Sequence, residues 1–261
     1  MVDLLITSIL DAFHTHSLAF FICAIVSVII VGLSKSGFGA GLGILSLPLM
    51  ASQSSINDAL VILLPLLIAI DLVGLRRFLQ NANWRILKLI VPPAMIGLIF
   101  GMIFFTAITP QVLTLSIGIF TLLFLIQNLA MTYFDNREAK PYPWLGRFMG
   151  LLSGFTSFVA HIGGPPITVF MLRENLAPMV YTSTLGVYFM AINFAKLGPY
   201  AYLDLLHPAQ FATSFILLPC VPIGVYLGFY LADRISMVWY YRIVRFFLLV
   251  ASIKLIADGL L

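Results

Sequence analysis

Eight long apolar segments, joined by short polar stretches, restrict this chain to folds that a lipid bilayer can solvate. About 20 consecutive apolar residues are enough for one helix to cross a bilayer. The chain has 261 residues, of which 61% are hydrophobic and 9% are charged, whereas a soluble domain is about half apolar and about a quarter charged. No segment alternates between apolar and polar residues as a strand does. We therefore predict an all-α integral membrane protein.

The apolar segments form two sets of four, and each set begins with a long, interrupted segment. An N-terminal segment (1–16) precedes the first repeat (17–133), and a polar linker (134–144) separates it from the second repeat (145–261). The segments are 17–52, 57–75, 84–105 and 110–133 in the first repeat, and 145–173, 179–199, 208–231 and 238–260 in the second.

The two repeats align at a constant offset in sequence. This offset pairs Gly32 with Gly154, Gly41 with Gly163, and Asp71 with Asn193. The repeat is clearer in hydropathy than in residue identity. Internal duplication of this kind is common among secondary transporters.

The positions of the basic residues predict which loops face the cytoplasm. Lys and Arg cluster around some loops only, at Arg76, Arg77, Arg85, Lys88, Arg137, Lys140, Arg147, Arg173, Arg234, Arg242 and Arg245. The loops near 53–57, 106–109 and 200–207 carry none. Because cytoplasmic loops carry the excess of positive charge, we predict a multi-pass protein of the inner (plasma) membrane, with a cytoplasmic linker and both termini outside. The N-terminal segment has no Lys or Arg, so we expect no cleaved signal peptide.

This assignment makes the two repeats inverted relative to each other. The loop after 75 is inside, whereas its counterpart at 200–207 is outside. The interrupted segments 17–52 and 145–173 then each enter and leave by the same face, and the second limb of the first is too short to span. We predict two re-entrant, broken helical hairpins that enter from opposite faces, each followed by three transmembrane helices.

The interruptions themselves are rich in glycine and proline. They read GLSKSGFGAGLGILSLPLM from Gly32 and GFTSFVAHIGGPPITVFML from Gly154. Pro165 and Pro166 suit the first turn of a helix that restarts after a break. The N-terminus of a restarting helix offers free N–H groups and partial positive charge, which favour anions.

Ionisable residues accompany both interruptions. Lys35 and His161 lie at the two breaks, and Lys196 follows Asn193 on the next predicted helix. A cation inside a bilayer is costly unless it is paired or lies in a wet cavity. We therefore predict a positive pocket for a small, dense anion. Its candidate residues are Lys35, Ser36, Gly39, Gly41, Gly43, His161, Gly163, Gly164, Pro165, Asn193 and Lys196.

Several of these residues have other interpretations. Glycines in membrane helices often serve packing alone, and Lys196 could extend to the outer surface. His161 could be a neutral, hydrogen-bonded residue, or it could carry a proton, since imidazole titrates near physiological pH. Asp71 could pair with Lys35 or act in proton coupling.

Four stretches of the sequence resemble the TauE/SafE family of sulfite exporters. They are GFGAGLGILSLPLM, GGPPITVFML, NFAKLGPY and the C-terminal part from IGVYLGFYLADRIS onward. The resemblance covers nearly the whole chain. It implies a membrane permease for inorganic sulfur or organosulfur anions such as sulfite.

These observations favour a secondary transporter that exports a small anion by alternating access, without a cofactor. A proton-coupled importer is the main alternative, followed by a channel and by an assembly or scaffold protein. An enzyme is not expected, because no nucleophile with a base is visible. Cys23 and Cys220 lie in apolar segments with no metal-site spacing, so we expect no metal. The expected partners are the anion and the bilayer, but no nucleic acid, and a homo-oligomer is left open.

Overall fold

The computed structural model describes residues 16–38, 43, 46–105, 109, helical residues between 111 and 126, 142–206 and 208–260. The helices are α1 (Leu18–Leu33), α2 (Ser46–Ala51), α3 (Ile56–Asn81), α4 (Trp84–Phe104), α5 (Pro143–Ala160), α6 (Gly164–Met171), α7 (Pro178–Tyr202), α8 (Pro208–Leu217), α9 (Cys220–Ala232) and α10 (Met237–Leu260). All regular structure in these ranges is helical, as predicted. Residues 134–141 of the predicted linker (134–144) and most of the predicted helix 110–133 lie outside them. The end of the predicted linker is wrong, because α5 already begins at Pro143.

Three helices in the described ranges are long and apolar enough to cross a membrane. They are Leu18–Phe38, Asp58–Asn81 and Trp84–Phe104. Helices α8 and α9 add a fourth if they count as one span, although they are bent by 50° at a break. The sequence predicted one continuous helix over 208–231, and the break is explained by Pro219 and Pro222, which cannot donate backbone hydrogen bonds.

The closest helix pair is α4 and α5, and glycines form its contact surface. Gly146, Gly150 and Gly154 lie one turn apart on α5, and a Cβ on Gly150 would be 2.6 Å from the carbonyl oxygen of Ile90. A Cβ on Gly154 would overlap the carbonyl oxygen of Ala94. Small residues at this spacing let membrane helices approach closely. Residues later in α5 contact residues later in α4, so the two helices run parallel.

Helices α1 and α9 make a second contact of the same kind. A Cβ on Gly224 would be 2.7 Å from the carbonyl oxygen of Ile29, and one on Gly37 would be 2.8 Å from the carbonyl oxygen of Gly228. Here too, later residues of α9 contact later residues of the first segment, so α1 and α9 run parallel. Each interrupted segment therefore begins with a helix that packs, through glycines, on a helix of the other predicted repeat.

Gly154→Ala is expected to destabilise the protein by about 1–3 kcal/mol, because the added methyl group overpacks the α4–α5 contact. The measurement is the free energy of unfolding in detergent. Gly198→Ala is the matched control, since nothing lies within 4 Å of the Cβ it would add. Its effect is expected to stay below about 1 kcal/mol. Equal effects at both positions would contradict the packing role of Gly154.

Candidate functional site

The second interruption is a true helix break. Helix α5 ends at Ala160, and α6 begins at Gly164 with prolines in its first turn, so the predicted restart is confirmed. His161 ends α5 in the left-handed region, with φ 54°, and its N–H donates to the carbonyl of Ser157 at 3.1 Å. The residue that ends a helix in the left-handed conformation is usually glycine, and here it is a histidine.

Side chains of α5 satisfy the backbone of this break. Thr156 Oγ1 donates to the carbonyl oxygen of Ile162 at 3.0 Å, and Ser153 Oγ donates to that of Gly163 at 2.5 Å. Non-helical backbone survives at membrane depth only where such partners exist. The hydroxyls therefore allow the chain to leave helical geometry here.

Ser153→Ala is expected to cost about 1–3 kcal/mol of stability, because it leaves the buried carbonyl of Gly163 without its donor. Ser27→Ala makes the same chemical change at an equally buried position, where the hydroxyl has no partner among the described residues. That control is expected to be neutral or slightly stabilising. Denaturation of both variants in detergent checks the difference, and equal losses would contradict it.

The first interruption differs from the second. After α1 the chain continues as a π-helical segment, Ser34–Phe38, in which every residue is buried. The N–H of Gly43 donates to Ser34 Oγ at 3.0 Å, and α2 packs on α1. A π-helical turn within an α-helix is often found at a functional site. This one carries Lys35.

Lys35 forms a buried ion pair that draws three helices together. Its Nζ lies 2.5 Å from Oδ1 of Asp71 on α3. The other carboxylate oxygen of Asp71 accepts a hydrogen bond from Nδ2 of Asn193, on α7, at 2.8 Å. All three side chains are at least 96% buried, with exposures of 4%, 0% and 2%. Asp71 could pair with Lys35 or act in proton coupling, and the structure shows the pairing.

Lys196, which is buried, and His161, which is half-buried, form a second polar pair. Lys196 Nζ lies 2.9 Å from Nδ1 of His161, and Nε2 of the same ring lies 3.0 Å from the carbonyl oxygen of Leu60. The ring of Tyr200 stacks beside the imidazole with centroids 6.3 Å apart. Lys196 is fully buried, so the alternative in which it extends to the outer surface is wrong.

These two pairs line one cavity, here called the central cavity. Its free volume is about 40 Å³. A water needs about 10–15 Å³ measured in this way, so three or four waters would fill it. Its lining residues are Val31, Lys35, Gly43, Ser46, Leu47, Leu63, Leu67, Ser157, Ala160, His161, Gly164, Phe189, Asn193 and Lys196. The set contains two lysines and no acid.

Six of the predicted site residues line the central cavity, namely Lys35, Gly43, His161, Gly164, Asn193 and Lys196. Ser36, Gly163 and Pro165 are buried nearby but do not line it, and Ser36 faces Gly228 of α9. Gly39 and Gly41 lie outside the described residues. Whether any of these residues binds an anion stays a prediction.

Ser157 lines the cavity but is not among the predicted residues, although the repeat offset pairs it with Lys35. Phe189 and Leu67 also line the cavity and correspond at that offset, but neither was predicted. The offset also pairs Asp71 with Asn193, and these two side chains are in direct contact. In the described ranges, no cluster of three or more His, Cys, Asp or Glu residues could hold a metal ion.

A protein-family model matches most of the chain. Residues 24–255, which make up most of the chain, match the family described as "Sulfite exporter TauE/SafE". No curated protein and no solved structure matches the chain. With its membrane-spanning helices and its buried cavity, the chain is a multi-pass membrane protein that belongs to the TauE/SafE sulfite exporter family, whose members are transporters and not enzymes.

Proposed function

We propose that this protein exports a small anion, such as sulfite, a sulfonate or a related organosulfur anion, by alternating access through the central cavity. One observation carries the proposal. Lys196 is fully buried, lines the cavity and has no carboxylate partner within the described residues. A buried cation without a counter-ion is costly, and a bound anion would remove that cost.

The start of α6 provides a second attraction for an anion. Gly164 lies at the cavity wall and begins this helix. Pro165 and Pro166 have no N–H group, so the free donors of the first turn are the N–H groups of Gly164 and Ile167, and free N–H groups at a helix start favour negative charge. The N–H of Gly43 is less suited to this role, because it already donates to Ser34 Oγ.

Contacts at the two ends of α3 support the predicted orientation. Arg77, near the end of α3, pairs with Asp233, at the end of α9. Asp58, near the start of α3, accepts a hydrogen bond of 2.9 Å from Gln210, near the start of α8. Loops that carry basic residues thus meet at one end of the molecule, which we assign to the cytoplasm.

The same contacts support an inverted repeat. The α8–α9 pair runs in the direction of α3, whereas α4 starts where α3 ends. Because α1 is parallel to α9 and α5 is parallel to α4, α1 and α5 run in opposite directions, although the sequence offset makes them equivalent. Transporters with inverted repeats alternate access by moving one repeat against the other around a central site. We propose that mechanism here, with both broken hairpins re-entrant.

The membrane potential supplies a driving force for export. A potential of about 100 mV, inside negative, favours the exit of one negative charge by about 2.3 kcal/mol. Export of an anion by this route requires no nucleotide.

The test uses purified protein in liposomes loaded with radiolabelled sulfite. Efflux is expected to saturate with concentration and to speed up when the interior is made negative, relative to liposomes without protein. Flux that rises without saturation would indicate a channel. An absence of flux across sulfite, thiosulfate, sulfonates and small carboxylates would contradict the proposal.

A proton-coupled importer is the second candidate function. It is favoured by the Lys196–His161 pair, whose 2.9 Å contact can accommodate the gain or loss of a proton. An imposed pH gradient distinguishes the two candidates. It would drive accumulation of the anion by an importer, but it would leave the initial efflux rate of a purely potential-driven exporter unchanged.

A further inference from the structure

The charges around the central cavity define the valence of the anion that fits it. Lys35 and Asp71 form a close pair at 2.5 Å, so their charges cancel. Asp71 is engaged on both oxygens, by Lys35 and by Asn193. This half of the site is therefore neutral.

The Lys196–His161 pair can hold at most one positive charge. The carbonyl of Leu60 can only accept a hydrogen bond, so Nε2 of His161 carries a proton. An ammonium group also has only donors. Nδ1 of His161 lies 2.9 Å from Lys196 Nζ. If the lysine is charged, Nδ1 must accept a hydrogen bond from it and so carries no proton. Nδ1 can carry a proton only if the lysine is neutral.

The described residues that line the cavity therefore carry a net charge of at most one positive unit, and none of them is an acid. One negative charge would neutralise the buried site, whereas a second would itself be left without a partner at high cost.

The free volume of the cavity suits a small anion. About 40 Å³ holds three or four waters, so it accommodates an anion with four or five non-hydrogen atoms. We propose that the central cavity selects small anions by valence, and that it accepts a single negative charge and rejects two. For sulfite, the transported species would then be hydrogen sulfite. This inference rests on the proposed anion transport.

Methanesulfonate and sulfate form a matched pair of probes, because they share a tetrahedral shape and size and differ by one charge. Thermal stabilisation of the purified protein, and competition with sulfite efflux, are measured for both at one fixed pH. Methanesulfonate is expected to bind at least about tenfold more tightly than sulfate. Equal or tighter binding of sulfate would overturn the valence rule while leaving anion transport intact. Binding of neither probe, together with absent sulfite efflux, would overturn both proposals.

A charge-changing variant separates this rule from the general difficulty of dehydrating sulfate. Asp71→Asn keeps an oxygen that can accept from Lys35 but removes a negative charge, so the cavity gains one positive unit. The affinity ratio of methanesulfonate to sulfate is expected to fall at least about tenfold in this variant. An unchanged ratio would overturn the rule. If the variant does not fold, thiosulfate, a divalent anion of similar size that is more easily dehydrated, replaces sulfate in the comparison, and equal or tighter binding of thiosulfate than of methanesulfonate would overturn the rule.

Discussion

Lys196→Gln is expected to abolish anion-dependent stabilisation and to lower the rate of anion efflux at least about 100-fold. The glutamine amide can still donate a hydrogen bond, so the variant removes the charge while leaving a donor for His161. Lys35 is already neutralised by Asp71, and the cavity would then have no net positive charge to attract an anion. A loss of about 3 kcal/mol in binding, the usual cost of removing one partner of a buried charge pair, corresponds to this factor.

The matched control for this variant is Lys254→Gln. Lys254 is 40% exposed and pairs with Asp258 one turn further along α10, and exposed pairs of this kind contribute little to stability. Its efflux and anion affinity are expected to remain those of the unaltered protein. Anion affinity that survives in Lys196→Gln would remove the central observation behind the proposed function, provided that the variant inserts and folds.

Breaking the ion pair between Lys35 and Asp71 from one side is expected to cost about 3–5 kcal/mol of stability. Asp71→Leu leaves a buried ammonium group without a partner, and Lys35→Met leaves a buried carboxylate with only Asn193. The double variant removes both charges, so it is expected to recover most of the loss of either single variant. The measurement is a double-mutant cycle on the free energy of unfolding in detergent.

The cycle also separates stability from transport. The double variant keeps the charge of the Lys196–His161 pair, so we expect it to bind anions while its stability recovers. If the losses of the two single variants simply add in the double variant, the pair has no energetic coupling. The close contact at 2.5 Å would then be of no importance to the fold.

The membrane class and the helical elements could be predicted because hydropathy is a local property. Their ends were less predictable. The apolar run predicted a helix over 57–75, whereas α3 covers Ile56–Asn81. Hydropathy stops at Arg76 and Arg77, but these side chains can be solvated at the membrane surface while the backbone stays helical. The helix ends only at Ala82, whose N–H donates to the carbonyl of Phe78.

The sequence alone determined which residue types the site could use, because a lysine, a histidine or an aspartate in an apolar segment demands a partner or water. The tertiary structure decided which of them are paired. It joined Lys35 to Asp71 across 36 positions and Asp71 to Asn193 across 122, and it placed Lys196 beside His161. Pairing depends on how helices from distant parts of the chain pack, and a local pattern carries no information about that.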